Sequence, residues 1–420
     1  MMDNQRVRLP ARTLLDCDST DRLCEVRTYQ YEVIVVPVFL IGVTIILVAI
    51  ILWLRFRGLR SSKKREKAEH YFQESHRRVN SGINLEELSL DFVLRTRDPS
   101  LLALELPSER ISEPFQLVCE GRFGPIYRTV LKDTDGRKEK DIIVKQLKGT
   151  AEPCEVRTFL QRAAFQVWLG THSNLVEIFG CCTETKPFCT VSECIEPGSL
   201  LKFLWDCRRD FVPMDGIIYD ITECQIYTIA LQILTALEFL HERKLVHGDV
   251  AARNVLIQRD FTIKLTGLGG ACDMYSRGNF PARRPAPLKW MSPERLLHLS
   301  ITEKSDVWSF GILLYEMITL GAPPYPEVPP SSILQHLQRG NIMKRPPNCK
   351  QHLYNIMKVC WTWKASDRIS VPELRRRLQS GKKSSNDRTV VQIPELIVPD
   401  LYEGVAGTEA VKMESDYTVL

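Results

Sequence analysis

Several things are missing from this 420-residue sequence, and each absence closes off a reading. No segment recurs at a fixed period, which excludes solenoids and propellers. Of the 13 cysteines, only Cys181, Cys182, Cys189 and Cys194 cluster. Their spacing matches no common zinc pattern and they lie in strand-like apolar runs, so buried thiols are expected there. The first 32 residues are polar and lack a cleavable signal pattern. Basic excess is almost absent outside one stretch. Residues 55–67 hold seven basic side chains (Arg55, Arg57, Arg60, Lys63, Lys64, Arg65, Lys67) against Glu66, a surplus of six beside a net charge of +5. That surplus suits anionic lipid headgroups, and no nucleic-acid partner is expected.

Charge is altogether lacking from Val33 to Leu54, 22 residues that would span about 33 Å as a helix. A single transmembrane helix is expected over 33–54, with Tyr31 and Trp53 at its interfaces. The basic flank follows the span and a net acidic one precedes it, so the N-terminus is expected outside and the rest in the cytoplasm. The plasma membrane is the expected location, although internal membranes satisfy the same span. Cys17 and Cys24 then fall outside, seven residues apart, a spacing compatible with a disulfide and with two thiols.

The chain divides into a short extracytoplasmic segment (1–32), the span (33–54), a basic juxtamembrane segment and linker (55–110), a dense apolar-periodic region (111–380) and a mostly disordered tail (381–420). The region 111–380 opens strand-rich and turns helix-rich after residue 200.

Within it, "CEGRFGPIY" sits between strand-like runs as a glycine-rich loop, a weak signal alone. "IIVKQL" places Lys145 in an apolar strand, where a cation needs an anionic partner. Then come "LVHGDVAARNVLI", "IKLTGLGG", "PLKWMSPE", "SDVWSFGILLYEMITLGAPPYPEV" and "CWTWKASDR". In order and spacing these motifs resemble the eukaryotic protein kinases over about 270 residues, and "HGDVAARN" with "PLKWM" resembles their tyrosine-specific branch. The resemblance implies an α+β, two-lobed protein-kinase fold preceded by the transmembrane helix, with ATP and magnesium as cofactors. It implies Asp249, Lys145 and Arg253 as catalytic residues and Asn254 as a magnesium ligand. Nucleotide contacts fall on Gly121, Gly124, Ile143, Lys145, Ser192 (the gatekeeper), Glu193 and Cys194. Glu294, Arg368 and Asp306 match structural anchors without a catalytic role.

The departures from that pattern are specific. Gly267 stands at the lost magnesium-ligand position, where the family has an aspartate; "GLG" replaces its D-F-G, and Asp273 is the next acid. Losing a metal that contributes about 3–5 kcal/mol slows transfer about 10²–10⁴-fold. Cys119 replaces the first loop glycine, Pro125 removes a donor, and Ile143 replaces an alanine on the adenine side. The glutamate that partners the lysine falls on Arg162, which either turns away from Lys145 or is solvated. Gly248 replaces the arginine that receives an activation-loop phosphate, and Asn279 and Phe280 stand where a regulatory tyrosine pair is usual; Tyr275 remains nearby.

Tyr402 and Tyr417 lie among acids, as phosphorylated docking points or as inert tail residues, and "TVL" at 418–420 fits capture by carboxylate-binding domains. Expected partners are therefore signalling proteins, engaged through the kinase-like domain and tail, including phosphotyrosine-reading and C-terminus-binding domains. Two functions are weighed: a membrane-anchored, catalytically impaired member acting through protein contacts, and an active but atypical tyrosine kinase. A ligand-sensing receptor is poorly supported by about 32 exterior residues.

Overall fold

The computed structural model describes residues 41–48, 90–95, 97–132, 139–208, 219–277, 287–393 and 402. Two compact units divide at Leu85/Glu86. In the first, residues 41–48 are helical, with Ile41, Ile45, Ile46, Leu47 and Val48 exposed. No helix among the described residues is long and apolar enough to cross a membrane. Most of the expected span, both flanks, Cys17, Cys24, Asn279, Phe280, Tyr417 and the 418–420 terminus lie outside the described residues.

The second unit has two lobes. Its small lobe is an antiparallel sheet of β1 (Gln116–Gly121), β2 (Gly124–Lys132), β3 (Glu139–Gln146), β4 (Ile178–Cys182) and β5 (Cys189–Glu193), in the order β1-β2-β3-β5-β4. Ile142, Ile143 and Val144 put β3 at the centre, because β-branched side chains pack well on both faces of a covered strand. Two helices accompany the sheet: the short α1 (Leu90–Arg95) before β1 and the 17-residue α2 (Pro153–Leu169) between β3 and β4. In α2, Pro153 opens the helix behind a reciprocal Glu152–Glu155 capping box, and Gly170 at φ +81° ends it.

The large lobe is helical: α3 (Leu200–Asp206), α4 (Glu223–Glu242), α5 (Gly269–Arg277), α6 (Pro293–Leu296), α7 (Glu303–Ile318), α8 (Ile333–Gln338), α9 (Gln351–Cys360) and α10 (Val371–Ser384). A second sheet, β6 (Pro197–Ser199), β7 (Val255–Gln258) and β8 (Ile263–Leu265), carries the chemistry-bearing loops. Helix α4 is capped by Thr222 with Gln225 and presents Ile226, Ile229, Ala230, Ile233, Leu234 and Leu237 at 3–4-residue spacing; all are buried. Each such Ile or Leu contributes about 1.5–3 kcal/mol by burial. The Glu294–Arg368 pair expected from the sequence forms with two bonds of 2.9 and 3.0 Å, and Arg368 also donates to the Thr362 carbonyl at 3.1 Å.

Two boundaries move. The linker is not separate from the domain: Val93 and Leu101 are buried, and Glu105 accepts from the Thr183 amide (2.6 Å), the Thr183 hydroxyl (2.7 Å) and the Glu184 amide (3.0 Å). Nor is the tail loose from residue 381. Val391 and Ile393 are buried, the Val391 amide donates to Ile221 at 2.8 Å, and Tyr402 is fully buried. The linker read as mixed and the tail as mostly disordered, while a few side chains in each supply the docking.

Candidate functional site

Strand register fixes the cleft. Lys145 on β3 pairs with Thr190 on β5, Ile143 pairs with Ser192, and Ile142 with Glu193. Side chains two apart share a face, so Ile143 and Lys145 point to the same side. Ile143 is wholly buried against Cys119, Ile126, Val118 and Cys194, which fill the space beneath the sheet with aliphatic and thiol groups. Ser192 is buried. Glu193 is committed to structure: it pairs with Lys264 at 2.8 Å and accepts the Glu177 amide at 2.8 Å.

The glycine-rich loop folds inward. Gly124 sits at φ +144°, and an added Cβ would lie 2.6 Å from both the Gln146 carbonyl oxygen and the Lys148 nitrogen, so glycine is required for this approach. The Lys148 amide donates to the Phe123 carbonyl at 2.8 Å, tethering the loop tip to the end of β3. Phe123 then meets Phe159 of α2 edge-on at 5.7 Å, and the Arg162 guanidinium lies over its ring at 5.2 Å. Gly121, Phe123, Lys145, Phe159, Arg162 and Gln166 line a cavity of only about 50 Å³, room for a few waters rather than a ligand. Arg162 is not fully solvated: its guanidinium stacks on Phe123, and it lines the same small cavity as Lys145. Lys145 makes no ion pair among the described residues; burial pushes its ammonium down to about 7 from 10.5, with nearby Cys119 acting in the opposite direction.

The 247–254 loop is anchored from α7. Asp306 of α7 is fully buried; it accepts the His247 and Gly248 amides at 2.8 Å each and pairs with His241 Nε2 at 2.8 Å. Its burial would raise its pKa, but these donors hold it below the ordinary value. Asp249 is ion-paired with Arg253. Burial again opposes ionisation, and Arg253, the Asn254 amide, His247 and Arg295 outweigh it and hold the carboxyl low. Arg295 of α6 also donates to the Gly248 carbonyl, returning a positive charge to the loop whose own arginine is missing. Gly248 itself sits at φ +77°.

Gly267 has φ +75°, and a Cβ there would meet Asn254 Cγ at 2.7 Å, Oδ1 at 2.8 Å and Nδ2 at 3.0 Å. The Asn254 carboxamide therefore occupies the room an aspartate side chain would need. Its Nδ2 donates to the Asp249 carbonyl at 2.6 Å, while its buried Oδ1 has no hydrogen-bond partner among the described residues. After "GLG" the chain forms α5, where Tyr275 packs on Trp168 at 4.2 Å and on Phe165 at 5.5 Å, against α2. Asp273 lies on this helix.

A magnesium–nucleotide group of the kind this arrangement suggests does not fit the residues present. Gly267 brings no side-chain oxygen to the place where the family's aspartate stands. Asn254 Oδ1 offers one oxygen, and Asp249 is already held by Arg253.

Three participants escaped the sequence reading, and a fourth, Tyr402, was noted only as a tail tyrosine. Phe123 carried a signal as the aromatic at the loop tip, whereas Arg295 and Glu316 of α7, which accepts the Ala252 amide at 3.1 Å, carried none. Tyr402 lay in the apolar interlude "LIVPDLY" within a polar tail.

The two lobes, the histidine-anchored loop with Asp249 and Asn254, and the Glu294–Arg368 pair define a protein-kinase domain. The chain belongs to the protein tyrosine and serine/threonine kinase family, which it matches over residues 115–378. It is 47% identical to human tyrosine-protein kinase STYK1 over 418 residues, covering 97% of this chain and 99% of that protein. The mouse protein of the same name is 46% identical over 98% of each chain. The silkworm tyrosine-protein kinase receptor torso is 32% identical over 63% of this chain and 37% of its own length. The family in general uses ATP and magnesium.

Proposed function

We propose that this kinase-family protein is a single-pass membrane signalling protein whose cleft transfers phosphate poorly or not at all, and which acts through protein contacts. One observation carries the reading: the Asn254 carboxamide fills the space at Gly267 where a metal-holding carboxylate would stand. The inward Phe123 wedge and the carboxylate-free Lys145 support it. Membrane anchoring rests on the charge-free run 33–54 and its basic flank, supported by the exposed apolar helix over 41–48. On this reading Asp249, Arg253 and Asn254 brace the loop through their mutual bonds.

The second reading, slow tyrosine phosphorylation, is favoured by the preserved Asp249–Arg253 pair. The purified full chain, assayed for phosphate transfer to tyrosine peptides beside Lys145→Ala and Asp249→Asn, separates the two. Transfer equal in all three supports impairment, and transfer abolished by both substitutions overturns it. Melting curves with ATP, with and without magnesium, are expected to show no magnesium-dependent shift.

A further inference from the structure

Tyr402 is the one described residue beyond position 393, and its side chain is fully buried in the helical lobe. Its ring meets Trp290 at 5.3 Å and Trp205 at 5.8 Å, both steeply edge-on. Its hydroxyl donates to Glu316 Oε1. Glu316 is itself fully buried, and its other oxygen accepts the Ala252 amide of the catalytic loop at 3.1 Å. Arg253, whose guanidinium lies over the Trp290 ring at 4.5 Å, completes the cluster and pairs with Asp249. Earlier in the tail, residues 387–391 are docked on the same lobe: the Val391 amide on the Ile221 carbonyl, and Thr222 Oγ1 to Asp387 at 3.3 Å.

We propose that this pocket is a latch for the chain's own tail, with Tyr402 as the bolt, and that phosphorylation of Tyr402 by a separate tyrosine kinase is the event that keeps it open. Three features distinguish the pocket from an incidental surface contact. It encloses the whole side chain between two tryptophans. It supplies the phenol with a buried acceptor. It ties that acceptor to the backbone of the loop bearing Asp249. A docked tyrosine and a phosphotyrosine exclude each other here. Transfer forms a bond from the phenol oxygen to the γ-phosphorus and breaks the bond to ADP; the phenol proton leaves to the other kinase's catalytic carboxylate. The product lacks the O–H that Glu316 accepts and brings about −1.5 to −2 charges against a buried carboxylate. Withdrawal of the bolt also removes a donor from Glu316, which loosens its hold on Ala252. Tail occupancy is thereby coupled to the catalytic loop, whether or not the cleft transfers phosphate.

The test uses the full chain in detergent. An active tyrosine kinase domain with magnesium and ATP is added, and modification of Tyr402 and Tyr417 is followed by mass spectrometry. Each rate is normalised to the same tyrosine in a synthetic 386–420 peptide. Tyr402 is expected to be at least tenfold suppressed in the full chain, Tyr417 is not, and Trp205→Ala is expected to abolish the suppression. In parallel, hydrogen exchange over 249–256 is expected to quicken about tenfold in Tyr402→Ala and Tyr402→Glu, and less in Tyr402→Phe, which keeps the ring. Equal normalised rates for the two tyrosines, or loop exchange that no Tyr402 substitution alters, overturns the latch.

Discussion

Gly267→Asp restores the family's residue on paper and is expected to injure the protein in practice. The backbone there is left-handed at φ +75°, which costs a residue with a Cβ about 1–2 kcal/mol, with aspartate toward the low end. The new Cβ would sit 2.7 Å from Asn254 Cγ, so the carboxamide must rotate away. Rotation forfeits its bond to the Asp249 carbonyl, about 0.5–1.5 kcal/mol. A second carboxylate beside Asp249 adds repulsion. The sum is about 2–4 kcal/mol, and at about 2–4 °C per kcal/mol the melting temperature is expected to fall by about 4–16 °C without metal. Scanning fluorimetry of the full chain measures this. Gly267→Ala should lose nearly as much, since the Cβ makes the contact, and adding Asn254→Ala should recover part of the loss through coupling of the two sites. Gly267→Ala as stable as the parent would refute the packing. Phosphate transfer is not expected to appear with Gly267→Asp alone, because Phe123 and Arg162 still close the cavity beside Lys145.

Lys145→Met is expected to stabilise the protein at pH 7 by about 2–4 kcal/mol, since burial lowers the ammonium to about 7 from 10.5. The unfolded chain holds the extra proton between those values, so parental stability should climb from pH 7 toward 10 and the variant's should not climb by this route; denaturant melts across that range check it. Ile143→Ala is expected to cost about 2–5 kcal/mol and to open the adenine side, so a larger thermal shift with adenosine than the parent shows would confirm that Ile143 blocks entry. Arg368→Ala leaves Glu294 buried and unpaired, at about 3–5 kcal/mol; a loss under 1 kcal/mol in urea titration would show that the pair is not structural.

The two-lobed fold was legible because its signals are local. β3 is a β-branched run, α2 and α4 carry their own caps, and the loop motifs keep their order. Gly267 and Arg162 were legible as departures by position alone. How the vacated space is used was not, because it depends on rotamers: Asn254 swings into the room at Gly267, and Arg162 stacks on Phe123. The linker and tail were misread for a different reason. Docking there relies on single side chains, Leu101, Glu105, Val391 and Tyr402, which no periodicity announces.

Glu105 has a further effect through the strand it lies against. β4 ends the small-lobe sheet, and an end strand presents unpaired amides and carbonyls to which another chain can add. Glu105 bridges to Cys181 in parallel, and the Leu106 amide donates to the Cys181 carbonyl at 2.8 Å, so the segment ahead of the domain serves β4 as a protective hem. Copies crowded together on one surface would therefore meet a closed border there rather than an open seam.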